Sequence, residues 1–167
     1  ESHPDARIND ADEFAQGVAI RRAGDEYGAT TGRPRRIGWL DLVLLKHVLD
    51  DTPKAQLILT KLDVLDSCKT IQLTTGHVYW GHDYYRAHDL VKGGDSLAEA
   101  IMDEAYLHYC HPNYESYTGW LKPLCVLKNS YELPSELMTL IKQVEQYTKK
   151  KVAAISVGPE RNQTIAL

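Results

Sequence analysis

Two short apolar segments, each followed at once by polar residues, constrain the fold of this chain more than any other feature. Residues 55–60 (AQLILT) lead directly into a Lys-Leu-Asp sequence, and residues 152–156 (VAAIS) lead into a Val-Gly-Pro turn. Short apolar runs bounded by turn signals are typical of buried strands. Strands that end in polar loops are typical of the sheets in nucleotide-binding α/β proteins.

Segments with a helical period separate these predicted strands, which indicates a layered α/β fold. The predicted helices cover residues 9–22, 39–50 (with little polar face, hence buried), 96–107 and a segment that opens at Pro134. Asn9 or Asp10 is expected to cap the first helix, and Ser96 and Glu99 have the spacing of a capping box. A further strand or hairpin is predicted over residues 69–79. We expect a few-stranded sheet that forms one edge of a larger one, so the fold is incomplete without further polypeptide.

The composition indicates a cytoplasmic protein with one domain over residues 1–167. A net charge of -4 gives no electrostatic reason to expect a nucleic acid or an anionic membrane as the main partner. No apolar run approaches the roughly 20 residues that cross a bilayer, and the polar first residues do not resemble a signal peptide. Cys68, Cys110 and Cys125 include no CxxC pair, which argues against a disulfide framework or a thiolate zinc site.

A loop rich in glycine, hydroxyl and arginine residues follows the first predicted helix and spans residues 28–36. Its sequence after Gly28 is Ala29-Thr30-Thr31-Gly32-Arg33-Pro34-Arg35-Arg36. The threonine hydroxyls and the backbone N–H groups can donate hydrogen bonds to a carboxylate or phosphate, and the guanidinium groups add bidentate charged donors. The same residues could form a solvated basic loop or an RNA contact, although the net charge gives RNA binding no support.

A tetrad, Thr60-Lys61-Leu62-Asp63, comes directly after the first predicted strand. A carboxylate at this place can accept hydrogen bonds from both N1–H and the 2-amino group of guanine, a pair of donors that adenine lacks. The lysine stem can lie over the plane of the base. The pattern is similar to the guanine-specificity tetrad of G proteins, with Thr in the place of the usual Asn.

A turn follows the last predicted strand in the same way, with the sequence Ser156-Val157-Gly158-Pro159-Glu160-Arg161. Backbone N–H groups of a Gly-Pro turn can hold the second side of a flat base. By itself the pattern indicates only a turn.

Four motifs occur in order along the chain: EYGATTGRPRRIGWLDL, LTKLDVLD, YESYTGW and ISVGPERNQTI. In this order and spacing the chain resembles the adenylosuccinate synthetases, most clearly over residues 25–66 and 112–167. The resemblance implies the C-terminal part of a P-loop-like nucleotide-binding α/β fold. It also implies GTP-dependent ligation of IMP and L-aspartate in AMP biosynthesis, with Mg2+ assisting and a homodimer as the intact enzyme.

The resemblance also implies roles for individual residues. The loop that binds aspartate and IMP would comprise Ala29, Thr30, Thr31, Gly32, Arg33, Pro34 and Arg35. Within it Arg33 would contact both aspartate and IMP, and Arg35 would reach the GTP side of the site. The GTP-binding residues would be Arg35, Lys61, Leu62, Asp63, Ser156, Val157, Gly158 and Pro159.

Neither a GxxxxGK phosphate loop nor another glycine-rich segment followed by Lys-Ser or Lys-Thr occurs in these 167 residues. No Asp or His can be matched to the family's catalytic pair, so the sequence assigns no catalytic residue. The 167-residue chain alone is therefore expected to show no ligase activity and to bind GTP weakly. The alternative is a non-catalytic guanine-nucleotide-binding or regulatory module derived from the same fold.

Two histidine-rich groups lack the paired spacing of a zinc site. They are His77, His82, Asp83 and His88 in one segment, and His108, Cys110 and His111 in another. We therefore predict no metal site in this chain.

Overall fold

The computed structural model describes residues 3–86 and 89–167, which contain four α-helices and nine strands. The helices are α1 (Glu13–Ala23), α2 (Leu42–Asp50), α3 (Glu104–Leu107) and α4 (Ser135–Thr148). Two 3-10 turns cover Leu62–Leu65 and Ser130–Glu132. The strands are β1 (Leu40–Asp41), β2 (Leu57–Leu59), β3 (Thr70–Tyr79), β4 (Tyr84–Arg86), β5 (Asp89–Val91), β6 (Ser96–Leu97), β7 (Cys110–Thr118), β8 (Val152–Ser156) and β9 (Thr164–Ala166). The predicted α/β class is confirmed, and the sheets are small.

The larger sheet is built on β3, which confirms the strand predicted over residues 69–79. β7 runs antiparallel to β3 along its whole length. On the other side of β3 lie β1, which is parallel with Leu40 opposite Leu73, and β6, which is antiparallel. β4 and β5 form a separate two-stranded hairpin.

The smaller sheet contains β2, β8 and β9. β2 and β8 are parallel, with Leu59 opposite Ile155, and β9 lies antiparallel on the other side of β8. Both apolar segments predicted as strands are confirmed, although β2 covers only part of residues 55–60. Because neighbouring parallel strands end at the same edge, the residues that follow β2 and β8 emerge side by side.

Helix α1 begins later than its sequence period predicted, and neither Asn9 nor Asp10 caps it. Asp12 is the cap, since its side chain accepts a hydrogen bond from the Ala15 amide at 2.8 Å. The Asn9 side chain instead donates to the backbone carbonyl of Ser67 at 2.8 Å. A long-range contact thus holds the residue that local sequence marked as a cap.

Helix α2 also begins later than predicted, because Leu40 and Asp41 pair with β3. The Asp41 side chain caps α2 by accepting from the amides of Val43 and Leu44. The prediction of a buried helix holds for one face only, since Val48 is 60% exposed.

The prediction of a helix over residues 96–107 is wrong. Ser96 and Leu97 form β6, and their backbone groups pair with β3 and take no part in a helix. Helix α3 covers only Glu104–Leu107, and Asp103 caps it. The capping-box spacing was a local signal that pairing with a distant strand overrode.

Helix α4 confirms the helix predicted to open at Pro134, and it contributes much of the main hydrophobic core. Its buried apolar side chains are Leu137, Leu140, Ile141 and Val144. They belong to one core cluster with Leu73 of the larger sheet and Ile155 of the smaller sheet. This core therefore holds the two sheets together. Within the described ranges, every helix is too short or too polar to cross a membrane.

Candidate functional site

The tetrad over residues 60–63, predicted to bind guanine, and the turn over residues 156–161 lie at one edge of the smaller sheet. Thr60 follows β2 and Ser156 ends β8, each one position beyond the paired residues Leu59 and Ile155. The 3-10 turn Leu62–Leu65 lies against β8. The structure therefore brings residues 60–63 and residues 156–159 together.

Lys61 turns the chain at the end of β2. Its backbone has a φ of 58°, a left-handed conformation that is uncommon outside glycine. Its ammonium group donates a hydrogen bond to the carbonyl oxygen of Gly24 at 2.7 Å and another to the carboxylate of Glu26. These bonds connect the tetrad to the segment that leads into the arginine-rich loop, while about half of the Lys61 side chain stays exposed.

Glu26 joins the tetrad to that loop. Its Oε1 accepts from Lys61, and its Oε2 accepts from the Arg35 guanidinium at 2.7 Å. The hydrogen bonds from Lys61 and then from Arg35 lower the pKa of the Glu26 carboxyl, so the carboxylate is ionised at neutral pH. Glu26 was not among the predicted site residues. The available signal was a carboxylate two positions before Gly28 and close to a run of arginines.

The loop over residues 28–36 is closed at its base by backbone hydrogen bonds. The Gly28 amide donates to the Arg33 carbonyl at 2.9 Å, and the Gly32 amide donates to the Gly28 carbonyl at 2.8 Å. Tyr27 and Pro34 form an antiparallel bridge outside this pair. The loop is thus a short hairpin-like excursion with Gly32 at a φ of 63°.

The residues predicted to bind aspartate and IMP are all exposed on this loop; they are Ala29, Thr30, Thr31, Gly32, Arg33, Pro34 and Arg35. The Thr31 hydroxyl accepts a hydrogen bond from the Arg33 amide at 3.3 Å. Arg35 is linked to the tetrad through Glu26, as described above. Contact between Arg33 and a substrate stays a prediction.

The turn after β8 is held by backbone and side-chain bonds. The Val157 amide donates to the Gln163 carbonyl at 2.8 Å, and the Ser156 hydroxyl donates to the Gly158 carbonyl at 3.0 Å. The Val157 side chain is fully buried, whereas Pro159 is exposed. The Gln163 side chain donates in turn to the carbonyl of Cys125 at 3.3 Å. These hydrogen bonds hold the turn in place beside residues 60–63.

Asp63 lies half-buried in the 3-10 turn that follows β2. Its neighbour Leu62 is buried in the main core and anchors this turn. The backbone carbonyl of Asp63 accepts a hydrogen bond from the Asp66 amide at 3.1 Å. The Asp63 carboxylate makes no hydrogen bond or ion pair within residues 3–86 and 89–167. Both carboxylate oxygens are thus available to a ligand.

A cavity of about 300 Å³ opens where the arginine-rich loop meets the tetrad. Glu26, Arg35 and Lys61 contribute charged groups to its wall, and Ile37 and Val64 contribute apolar surface. Apolar walls with a few placed polar groups are typical of small-molecule sites.

Within residues 3–86 and 89–167, no three His, Cys, Asp or Glu side chains are grouped in a way that could hold a metal ion. His77 is buried, and its Nε2 pairs with the Asp41 carboxylate at 2.7 Å. His88 lies outside the described residues. The Mg2+ that the resemblance implies stays a prediction, since this ion is commonly held by one or two carboxylates together with substrate phosphates.

Sequence comparisons give one family. A family model described as adenylosuccinate synthetase matches residues 7–165. An adenylosuccinate synthetase from Geotalea daltonii is 35% identical over 155 residues, which cover 93% of this chain and 33% of that protein. One from Clostridium perfringens is 38% identical over 148 residues, which cover 87% of this chain and 31% of that protein.

A solved structure gives the same similarity in three dimensions. The structure of fully ligated adenylosuccinate synthetase from Plasmodium falciparum matches with a TM-score of 0.75 and 30% sequence identity. The match covers 99% of this chain and 36% of that chain. The chain thus spans about a third of the length of the relatives it matches.

Proposed function

The chain belongs to the adenylosuccinate synthetase family, and on that basis we propose that it supplies the guanine-recognition and aspartate-binding segments of a GTP-dependent ligase. That ligase joins IMP and L-aspartate to form adenylosuccinate in AMP biosynthesis. GTP phosphorylates the 6-oxygen of IMP, and the amino group of aspartate then displaces the phosphate. The observation that carries the proposal is the parallel pairing of β2 with β8, because it sets residues 60–63 beside residues 156–159.

We assign guanine recognition to Asp63. Its carboxylate has both oxygens available, and it can accept from N1–H and the 2-amino group of guanine at once. Adenine offers no such pair of donors, so an adenine nucleotide leaves the half-buried carboxylate without partners. The turn at Val157 and Gly158 borders the other side of the base, and the exposed stem of Lys61 lies beside it.

We assign the binding of the amino-acid substrate to the arginine-rich loop, residues 28–36. The exposed hydroxyls of Thr30 and Thr31 donate to the carboxylates of aspartate, and the Arg33 guanidinium contacts aspartate and IMP. A guanidinium held near the phosphorylated oxygen also stabilises the negative charge that develops there. Glu26 holds Arg35 next to Lys61, which keeps the loop close to the guanine site.

The 167-residue chain alone is expected to show no turnover, because it contributes recognition segments and no phosphate loop. Most of the affinity for a nucleoside triphosphate comes from charged contacts with its phosphates. The base contacts alone leave affinity in the millimolar range, on the order of 4 kcal/mol. Formation of adenylosuccinate by the purified 167-residue chain would contradict this proposal.

Nucleotide preference of a reconstituted protein tests the function. This chain is mixed with the preceding two thirds of the Geotalea daltonii enzyme, and GDP and ADP are titrated calorimetrically. GDP is expected to bind at least about tenfold more tightly than ADP, a difference of about 1.4 kcal/mol. Equal affinities would overturn the assignment of guanine recognition to this chain.

Asp63→Asn is the matched substitution for this experiment. The amide side chain keeps one oxygen acceptor and has an NH2 donor in place of the other oxygen, so GDP loses its advantage over ADP. A xanthine nucleotide has a carbonyl in place of the 2-amino group, and it gains affinity because the NH2 group can donate to that carbonyl. Asp51→Asn is the control, because exposed Asp51 follows α2 at the opposite end of β2 from Asp63. Its nucleotide preference is expected to equal that of the unmodified chain.

A further inference from the structure

Gln163 closes the loop that connects β8 to β9. Its backbone carbonyl accepts from the Val157 amide at 2.8 Å, and its backbone amide donates to the Glu160 carbonyl at 2.9 Å. The side chain adds two hydrogen bonds that depend on its identity. Its Oε1 accepts from the Glu160 amide at 2.9 Å, and its Nε2 donates to the Cys125 carbonyl at 3.3 Å. A carboxamide suits this place because it offers an acceptor and a donor at once.

The Gln163 side chain also lies directly against Gly158. A Cβ added at Gly158 would overlap the Gln163 amide group, so the glutamine occupies the space that a side chain at position 158 would need. Gly158 is buried, and its backbone amide makes no hydrogen bond within residues 3–86 and 89–167. Backbone N–H groups of buried residues normally have a partner. The Gly158 amide is therefore available to a ligand, and Gln163 is packed behind it.

The remainder of this loop has little else to hold it. Residues 159–162 are all exposed, and Pro159 has no backbone N–H to donate. Segments with few buried contacts open easily. The Gln163 side chain connects Glu160 to Cys125, and it thereby attaches the loop to the segment that follows β7. Gln163 is not part of the main core cluster, so its loss is expected to loosen the loop and to leave the core intact.

We propose that Gln163 is a positioning residue for guanine recognition, because its side chain fixes residues 156–160 in the conformation that borders the base. A turn that is ordered before the nucleotide arrives avoids the loss of entropy that a mobile turn suffers on binding. Gln163 acts through the turn and does not itself contact the nucleotide. This role rests on the proposed function, since it concerns the same guanine site.

Nucleotide titrations of the reconstituted protein test the role. This chain, with Gln163→Ala, is mixed with the preceding two thirds of the Geotalea daltonii enzyme, and GDP and ADP are titrated calorimetrically. We expect GDP to bind about fivefold more weakly and ADP to bind as before, since only guanine uses the turn. Asn162→Ala is the matched control, because this neighbouring carboxamide is exposed and makes no hydrogen bond within the described ranges. Its GDP affinity is expected to stay within about twofold of that of the unmodified protein.

A conservative variant and a stability measurement separate positioning from a general effect on the fold. Gln163→Glu keeps an acceptor for the Glu160 amide and lacks the donor to Cys125, so we expect it to bind GDP more tightly than Gln163→Ala does. The urea midpoint of the Gln163→Ala chain is expected to equal that of the unmodified chain. Equal weakening of GDP and ADP together with a lower urea midpoint would overturn the positioning role.

Hydrogen exchange on the unmodified chain gives a measurement that needs no variant. The Glu160 amide is bonded to the Gln163 side chain, whereas the amide of exposed Arg161 has no acceptor among the residues that the structure describes. We expect the Glu160 amide to exchange at least about tenfold more slowly than the Arg161 amide, after correction for their intrinsic rates. Equal protection of the two amides would show that the Gln163 side chain does not hold the loop.

The two proposals fail in distinguishable ways. An unmodified reconstituted protein without a preference for GDP removes the assigned guanine recognition, and the role of Gln163 with it. A preference for GDP that survives Gln163→Ala unchanged leaves guanine recognition in place and overturns only the role of Gln163.

Discussion

The carboxylate of Asp66 fastens the 3-10 turn that carries Asp63 to the loop after β7. Its Oδ1 accepts from the indole N–H of Trp120 at 2.9 Å, and its Oδ2 accepts from the Leu124 amide at 3.0 Å. Trp120 is 3% exposed and Leu124 is fully buried, so water is a poor substitute for the carboxylate. We expect Asp66→Ala to leave two buried donors unsatisfied.

The expected magnitude follows from those two donors. An unsatisfied buried donor costs about 1–3 kcal/mol, so the two donors that Asp66→Ala leaves unsatisfied are expected to lower the free energy of unfolding by about 2–6 kcal/mol. Trp120→Phe keeps most of the apolar contact and removes the indole donor. Because a hydrogen bond to a charged acceptor contributes about 1.5–3 kcal/mol and Asp66 is only half-buried, we expect a coupling energy of about 1.5 kcal/mol.

Urea denaturation of the unmodified chain, both single variants and the double variant measures this coupling. The measurements are made at pH 7, since burial raises the pKa of the Asp66 carboxyl and the carboxylate must be ionised. The exposed pair Lys46 and Asp50, 2.7 Å apart on α2, is the control cycle and is expected to be additive. If the Asp66 and Trp120 changes are additive within about 0.5 kcal/mol, the hydrogen bond does not stabilise the turn as argued.

Three further predictions concern other parts of the chain. The Val152 amide, and then Lys151, lower the pKa of the Glu145 carboxyl, so its contribution is present above the unfolded pKa and is lost as pH falls through the folded value. Glu145→Gln should destabilise by about 0.5 kcal/mol at pH 7 in urea titrations, and this difference should shrink as pH falls below the unfolded pKa. Gly119→Ala would place Cβ 1.7 Å from the Cys68 carbonyl oxygen, and a drop of about 2 kcal/mol or more in the free energy of unfolding is expected; an unchanged urea midpoint would contradict this packing. Burial, and then the charge of Asp66, raise the pKa of the Cys68 thiol to about 11. A thiol reagent should therefore label exposed Cys125 quickly and Cys68 only after denaturation. Rapid labelling of Cys68 in the native chain would argue against its burial.

Elements whose signal is local were predictable from the sequence. The period that opens at Pro134 places Leu137, Leu140, Ile141 and Val144 on one face, and these side chains are buried in α4. The apolar run over residues 152–156 is β8 with the predicted bounds. In both segments the local preference and the tertiary packing favour the same conformation.

The segment over residues 96–107 shows where this reasoning fails. Ser96 and Glu99 have the spacing of a helix cap, yet Ser96 and Leu97 pair with His77 and Val78 of β3. Residues about 20 positions away thus decide the conformation, and no period within the segment records them. The same holds for Asn9, whose side chain is held by Ser67.

The sequence by itself determined the family, the two apolar strands and the polar segments that follow them, because these are properties of contiguous residues. Only the tertiary structure decided that β2 and β8 are neighbours and that Glu26 connects Lys61 to Arg35. The physical reason is that strand pairing and ion pairing are contacts between residues far apart in sequence. Their free energy depends on which surfaces the whole chain brings together, and a local pattern does not encode that choice.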